Sequence, residues 1–186
     1  MAKFKGWKSR YAYLDDYKPG IDGKYVYYGR HYVLKRGRED WKNYRWLTGS
    51  ACILILVLLI ITGFIEAGAY WRMWYTNLSY ALKVIAAFLI IWKTLTLITE
   101  KYPVKKYIYK KTVPWYKPLA VIAAFTGFAS AVAALVVIIS GPEGMILSGC
   151  ILELVLNLFT GAAGTVLYLM LSRYLWEPDP TEEPEE

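Results

Sequence analysis

The 186-residue sequence contains one histidine, His31, and only two cysteines, Cys52 and Cys150. These are too few imidazole and thiol groups for a His/Cys metal centre or a framework of disulfides. The motifs GxSxG, HExxH and CxxC and the phosphate-binding P-loop are also missing from the sequence, and with them the usual signatures of hydrolases and nucleotide-binding enzymes. We therefore expect no cofactor, no metal ion and no enzymatic activity.

Charged residues are also scarce: they make up 20% of the sequence, whereas hydrophobic residues make up 56%. A soluble domain is typically about 45–50% apolar and about 25% charged. An aromatic content of 17% argues against a disordered chain. The apolar residues form four blocks, at about 47–65, 76–99, 118–140 and 145–172, each close to the roughly 20 residues that cross a bilayer as a helix. The sequence predicts an all-α integral membrane protein in which four transmembrane helices form a bundle over 47–173.

The basic residues are distributed unevenly along the chain. Of the 22 Lys and Arg residues, 12 lie in segment 1–46 and six in the stretch 100–117, whereas the two opposite loops contain only Arg72. By the positive-inside rule, both termini are predicted to be cytoplasmic. The compact loops are typical of a bacterial cytoplasmic membrane. Since the bilayer accounts for the net charge of +7, we expect no nucleic-acid partner.

Outside the spans, the sequence predicts a small hairpin-like N-terminal segment and a disordered tail. Stretches 10–14 and 24–28 have the composition of strands and flank two turn signals, and a third short strand is expected over 31–34. Such a patch is too small to be stable alone, so we expect the membrane surface or a partner to cover one face. The tail 174–186 is acidic and proline-rich, which predicts disorder.

Charged groups inside the spans are the most informative feature, because placing a charge in a bilayer costs at least a few kcal/mol. Lys83 and Glu153 lie at a similar predicted depth in the second and fourth spans, and Asn157 follows Glu153 by one helical turn. We predict an intramembrane ion pair between Lys83 and Glu153, with Asn157 hydrogen-bonding nearby. Glu66, at the outer end of the first span, is the alternative partner of Lys83.

Two further groups of residues are candidates for contacts. Small residues in the third span advance by 4, 3, 4 and 3 positions, which predicts a helix-packing face; they are Ala120, Ala124, Gly127, Ala131 and Ala134. Lysines in the predicted loop 100–117 are expected to attract anionic lipid headgroups; they are Lys101, Lys105, Lys106, Lys110 and Lys111. The four prolines 103, 114, 118 and 142 are expected in loops or at span ends.

These features favour a non-catalytic polytopic membrane protein that acts as a subunit or accessory of a larger membrane assembly. The expected partners are the lipid bilayer and either another membrane protein or further copies of this chain. The alternative is a small oligomeric channel or transporter whose path passes Lys83, Glu153 and Asn157. The two hypotheses differ in one respect. A transport site must be accessible to water, whereas a Lys83–Glu153 pair that only holds helices together must be shielded from water.

Overall fold

The computed structural model describes residues 16–20 and 24–180. Within that part of the chain, four helices are long and apolar enough to cross a membrane. The most apolar 18-residue stretch of each helix has a mean hydropathy between 1.8 and 2.5. They are α1 (Arg38–Phe64), α2 (Trp74–Ile98), α3 (Lys106–Ser140) and α4 (Leu147–Leu171). The prediction of a mostly helical protein with four potential membrane spans is confirmed.

Helices α1 and α3 begin well before the predicted spans, and this corrects the expectation of a loop over 100–117. Pro114 and Pro118 lie inside α3 rather than in a loop or at a span end. A proline lacks the N–H donor that a helix needs and crowds the preceding turn, which is tolerated when other groups contact the freed backbone. Pro114 leaves the carbonyl oxygen of Lys110 without its helical donor, and the Nζ atom of Lys93 donates a hydrogen bond of 2.8 Å to the next carbonyl oxygen, that of Lys111.

The four helices form a ring in which each helix packs mainly against its neighbours in the chain, and α4 also packs against α1. Helices α2 and α4 consequently face each other across the bundle axis. The most extensive contact joins α3 and α4. There, a side chain added at Gly127 would collide with the backbone of Gly161, and one added at Gly164 would come within 2.5 Å of the Ala124 nitrogen.

The predicted small-residue face of α3 is therefore turned toward a helix of the same chain. Ala120, Gly127, Ala131 and Ala134 are buried, and Ala124 is half-buried beside Gly164. Close backbone approach of this kind supplies the van der Waals contact that holds helices together in lipid. Because α4 occupies the face, this face is not a free surface for another protein.

One end of the bundle, the loop end, is closed by the two connections that meet there. Gly68 and Met145 form an isolated antiparallel bridge, and the Ala69 N–H donates to the Gly144 carbonyl oxygen at 3.0 Å. Gly68 has φ +58°, a conformation that favours glycine. The chain then forms a short 3₁₀ helix over Ala69–Arg72 before α2 begins.

At the opposite end, the sheet end, the described part of the chain forms five short strands. Strands β1 (Tyr17–Pro19) and β2 (Tyr25–Tyr27) form an antiparallel hairpin. Strand β3 (His31–Leu34) lies between β4 (Val104–Lys105) and β5 (Trp176–Pro178) in a separate antiparallel sheet. A strand at 31–34 was expected, but it pairs with distant parts of the chain rather than extending the hairpin. The predicted strand at 10–14 lies outside the described residues.

Strand β5 corrects the expectation that the whole tail is disordered. Leu34 is in register with Trp176, and the Asp179 N–H donates to the His31 carbonyl oxygen at 3.0 Å. The indole of Trp176 lies 5.9 Å from the ring of Trp41 and 5.5 Å from that of Tyr44. Partial burial of this large aromatic side chain outweighs the local acidic and proline-rich composition. Residues 181–186 lie outside the described part of the chain.

The same contacts correct the expectation that an external surface must cover the N-terminal strands. Tyr32 of β3 stacks on Tyr109 of α3 at a centroid distance of 4.0 Å. In the hairpin, Tyr27 lies 6.1 Å from the ring of Tyr107. The helix ends and the tail therefore cover the inner face of the strands, and Leu34 of β3 is buried within the chain.

The close contact between α3 and α4 gives a prediction about stability. Gly164→Ala should lower the melting temperature in detergent by about 2–10 °C, because the added methyl group collides with the backbone of Ala124. Gly49→Ala is the matched control, since its methyl group would meet only Ile98 at an ordinary 3.5 Å. Thermal unfolding followed by circular dichroism measures both. Equal melting temperatures for the two variants would contradict the packing described here.

The half-buried indole of Trp176 in β5 gives a second prediction. Deleting residues 174–186 should lower the melting temperature by roughly 5–10 °C, because Leu34, Trp41 and Tyr44 lose their cover. Deleting only 181–186 removes four glutamates and leaves β5 in place, so it should have little effect. If both deletions shift the melting temperature equally, the tail acts through its charge and not through β5.

Candidate functional site

Three polar side chains meet in the half of the bundle nearer the loop end. The ammonium group of Lys83 on α2 donates a hydrogen bond to Oδ1 of Asn157 on α4. The Nδ2 atom of Asn157 donates in turn to Oε2 of Glu153, one turn earlier on α4, at 3.1 Å. Lys83 is 5% exposed, and Asn157 and Glu153 are fully buried. We refer to these three residues as the polar bridge.

The position of the polar bridge follows from the arrangement of the helices. Because α2 and α4 lie diagonally across the ring, a contact between them must pass through the bundle centre. The long side chain of Lys83 reaches across this space, and Glu153 and Asn157 share one face of α4 at a spacing of four residues. The bridge thus links two helices that are not neighbours in the ring.

The bridge differs from the predicted ion pair in one respect. Among the described residues, Lys83 and Glu153 form no salt bridge within 4.0 Å, and the amide of Asn157 lies between them instead. An amide suits this position because its oxygen accepts a hydrogen bond from the ammonium group and its NH₂ group donates to the carboxylate. Glu66, the alternative partner, is exposed at the loop end and forms no salt bridge with Lys83 in the same described segments.

Two tyrosines complete the surroundings of the bridge and escaped the sequence analysis. The Lys83 ammonium lies 5.4 Å from the ring centroid of Tyr80, a cation–π contact from the preceding turn of α2. Tyr70, from the 3₁₀ helix, is buried, and burial together with the negative charge of Glu153 raises its pKa. The spacing of three residues between Tyr80 and Lys83 is a helical signal that could have identified Tyr80. The position of Tyr70 beside the bridge could not be predicted in this way, because it depends on how the connection between α1 and α2 folds over the loop end.

A cavity of about 10 Å³ lies next to Lys83, toward the middle of the bundle. Its polar lining consists of Lys83 and three threonines, Thr62, Thr126 and Thr160, and the rest is apolar. The hydroxyls of Thr126 and Thr160 each donate to a carbonyl oxygen of their own helix at 2.9 Å. A space of this size holds about one water molecule, which is far less than a hydrated ion requires.

The two carboxylate oxygens of Glu153 have different environments. Its Oε2 atom accepts the hydrogen bond from Asn157, whereas Oε1 is buried and has no hydrogen-bond partner among the described residues. A buried acceptor left unpaired is costly, and here the positive charge of Lys83 lies one amide away. The site can therefore hold a balanced pair of charges, and Oε1 remains able to accept a proton or a water molecule.

The lysines predicted to meet lipid headgroups occupy different environments. Lys101, Lys110 and Lys111 are exposed, and Lys106 is half-buried at the start of α3. Lys105 instead lies 3.4 Å from the Glu100 carboxylate and 5.7 Å from the ring of Tyr17. Burial lowers the pKa of Lys105, but the charge of Glu100 and the Tyr17 hydroxyl outweigh burial and raise it. Lys105 is thus engaged within the chain.

The polar bridge gives a prediction about energetic coupling. Glu153→Gln should destabilise the protein by roughly 2–5 kcal/mol, because Lys83 then lacks its balancing negative charge. Adding Lys83→Met should recover part of that loss, which gives a coupling energy of at least about 0.5 kcal/mol in a double-mutant cycle. Reversible unfolding in mixed micelles measures the four free energies.

Lys93→Met is the matched control for this cycle. Lys93 lies on the same helix but donates to the Lys111 carbonyl oxygen at an exposed position, so its removal should add to the effect of Glu153→Gln without coupling. Simple additivity for Lys83→Met as well would mean that no bridge joins α2 to α4.

Comparison with known proteins assigns no family to this arrangement. No protein-family model, no curated protein and no solved structure matches the chain. Within residues 16–20 and 24–180, no group of three or more His, Cys, Asp or Glu side chains has the proximity needed to hold a metal ion. A functional hypothesis must therefore start from the chemistry and burial of the polar bridge itself.

Proposed function

We propose that this chain is a non-catalytic polytopic membrane protein that acts as a subunit or accessory of a larger membrane assembly. The observation that carries the proposal is the enclosure of the polar bridge. The bridge joins an ammonium group, an amide and a carboxylate across the bundle axis, and all three are shielded from solvent. They belong to Lys83, Asn157 and Glu153. Buried polar groups of this kind can specify which helices pack together.

Enclosure of the bridge argues against a permeation path. The cavity beside Lys83 has room for about one water molecule, and Tyr70 and Ala67 are buried at the loop end. A charged solute crossing here would have to displace the bridge and leave Lys83 or Glu153 unpaired, which is costly in a bilayer. A structural role of the bridge does not require Lys83 or Glu153 to become unpaired.

The surface that we assign to a partner is the hairpin at the sheet end. Tyr25 is 73% exposed and Tyr28 is 61% exposed, and Val26 between them is also exposed. Exposed tyrosines are enriched at protein interfaces because they combine a large apolar ring with a polar tip. The small residues of α3 and the inner side of the strands do not support this role, since both are covered within the chain.

The proposal includes an orientation and a location. Both termini would face the cytoplasm, in keeping with the concentration of Lys and Arg at the sheet end. The compact loops favour a bacterial cytoplasmic membrane. Anionic lipid headgroups would gather at Lys101, Lys106, Lys110 and Lys111, with no role for nucleic acid.

A second candidate function, a small oligomeric channel or transporter, is favoured by a different observation. Glu153 Oε1 is buried and has no hydrogen-bond partner among the described residues, and the buried hydroxyls of Thr94 and Tyr116 lie beside each other without a hydrogen bond of standard geometry. Weakly paired polar atoms at these two places in the bundle could bind water or protons in another conformation. The two candidates predict opposite water accessibility at the bundle centre.

Accessibility can be measured with a cysteine at Ala87, which is buried and lines the cavity beside Lys83. With Cys52 and Cys150 replaced by Ala, Ala87→Cys should not react with a membrane-impermeant thiol reagent added to either side. Glu143→Cys and Lys101→Cys, at exposed positions of the loop end and the sheet end, should react from opposite sides. Rapid labelling of Ala87→Cys would favour the channel or transporter.

The partner itself is tested by mild extraction from native membranes, followed by mass determination of the intact complex. A stoichiometric second protein that is lost in the variant Tyr25→Ser/Tyr28→Ser would support the assigned surface. Trp74→Ser is the control, because Trp74 is 74% exposed but lies at the loop end. A homo-oligomer that is unchanged by the hairpin variant would contradict the proposal.

A further inference from the structure

A groove of about 830 Å³ runs along the outside of α1 at the sheet end, bordered by Ile98 and Tyr102. This volume is within the range of about 300–1,000 Å³ that is typical of small-molecule sites. We call it the α1 groove. Five of its nine lining residues on α1 advance by 4, 3, 4 and 4 positions along one face of the helix; they are Arg38, Lys42, Arg45, Gly49 and Ile53.

The chemistry of the α1 groove changes along its length. Arg38, Lys42 and Arg45 line the end nearest the strands, together with a single acidic residue, Glu39. In the described chain, none of the three basic residues has a carboxylate within 4.0 Å. The guanidinium of Arg45 lies 5.8 Å from the ring centroid of Trp41, which holds it beside the groove. This end therefore presents an excess of unpaired positive charge.

The other end of the α1 groove is lined mainly by small or apolar residues. Gly49 leaves space on the surface of α1, since a methyl group there would first meet Ile98 at 3.5 Å. Ile53 is 64% exposed and Trp46 is 72% exposed, so the walls of the groove are open to the side of the bundle. This end lies in the uncharged part of α1 that is apolar enough to sit in the hydrocarbon core.

The dimensions match one leaflet of a membrane. Arg38 and Ile53 are about 22 Å apart along a helix with a rise of 1.5 Å per residue. Half of a bilayer that is about 40–45 Å thick, headgroups included, is about the same length. A cationic end at headgroup depth and an apolar end at acyl-chain depth are complementary to an anionic phospholipid that stands upright against α1.

We propose that the α1 groove binds an anionic phospholipid from the leaflet on the side of both termini. The phosphate would lie among Arg38, Lys42 and Arg45, and one acyl chain would pass over Gly49 between Ile53 and Ile98. This site is separate from the lysines of the stretch 100–117 and from the polar bridge. It does not depend on whether the chain is a subunit or a transporter.

The test uses the full chain, purified and stripped of lipid in mild detergent, and titrated with phosphatidylglycerol or phosphatidylcholine of identical acyl chains. Native mass spectrometry counts the lipids that stay bound. The wild type should retain one phosphatidylglycerol at a concentration about tenfold lower than it needs for phosphatidylcholine, because three basic residues attract the phosphate and the net negative charge.

Two variants separate the headgroup from the acyl chain. Arg38→Gln/Lys42→Gln/Arg45→Gln should bind the two lipids equally, with phosphatidylglycerol weakened about tenfold. Gly49→Leu should weaken both lipids, because its side chain fills the apolar end. Ala81→Leu adds the same side chain at an exposed position outside the groove and should bind as the wild type does. Lys106→Gln/Lys110→Gln/Lys111→Gln removes the same amount of charge elsewhere and should keep the preference.

Several results would overturn the proposal. Equal binding of the two lipids by the wild type is sufficient alone, so the test does not rely on the variants folding. A preference that survives loss of Arg38, Lys42 and Arg45, or that falls equally with the lysine variant, would show a general charge effect. A dimer or a complex with another protein that Gly49→Leu disrupts would assign the groove to a protein instead.

Discussion

An ammonium group and a carboxylate cannot lie alone in the centre of a membrane protein, and the amide of Asn157 resolves this problem for Lys83 and Glu153. Each end of the amide offers the complement of the group that it meets. Because Lys83 comes from α2 and Asn157 and Glu153 come from α4, satisfying both charges requires these diagonal helices to keep a fixed depth relative to each other. Apolar contacts alone would constrain that depth less strictly, since lipid chains are as apolar as the side chains of the helices.

The remaining contacts are compatible with this constraint at both ends of the bundle. Glycines on α3 and α4 let these neighbours approach until their backbones touch. At the loop end, Gly68 and Met145 join the two connections. At the sheet end, β3 pairs with residues that precede α3 and follow α4. The bundle is therefore held in the centre by hydrogen bonds to charged groups and at the ends by backbone pairing.

The sequence predicted the features that depend on local composition or helical spacing. The four apolar blocks, the shared depth of Lys83 and Glu153 and the position of Asn157 one turn later all belong to this class. The features that it missed depend on contacts between distant segments. Trp176 forms a strand because Leu34, Trp41 and Tyr44 lie beside it, and a window of tail residues contains none of these. Pro114 remains within a helix in a setting where Lys93, on another helix, contacts the preceding turn.

The central claim is that Lys83 is held by Asn157 in a site closed to bulk water, and nuclear magnetic resonance of the protein in lipid nanodiscs tests it most directly. With ¹⁵N-labelled lysine, one ammonium signal should be protected from exchange with water, lie close to the Asn157 amide protons and disappear in Lys83→Met. Exposed lysines such as Lys101 should exchange too fast to be observed under the same conditions. If the Lys83 ammonium exchanges as fast as theirs, water reaches the bundle centre and the account of a dry bridge is wrong.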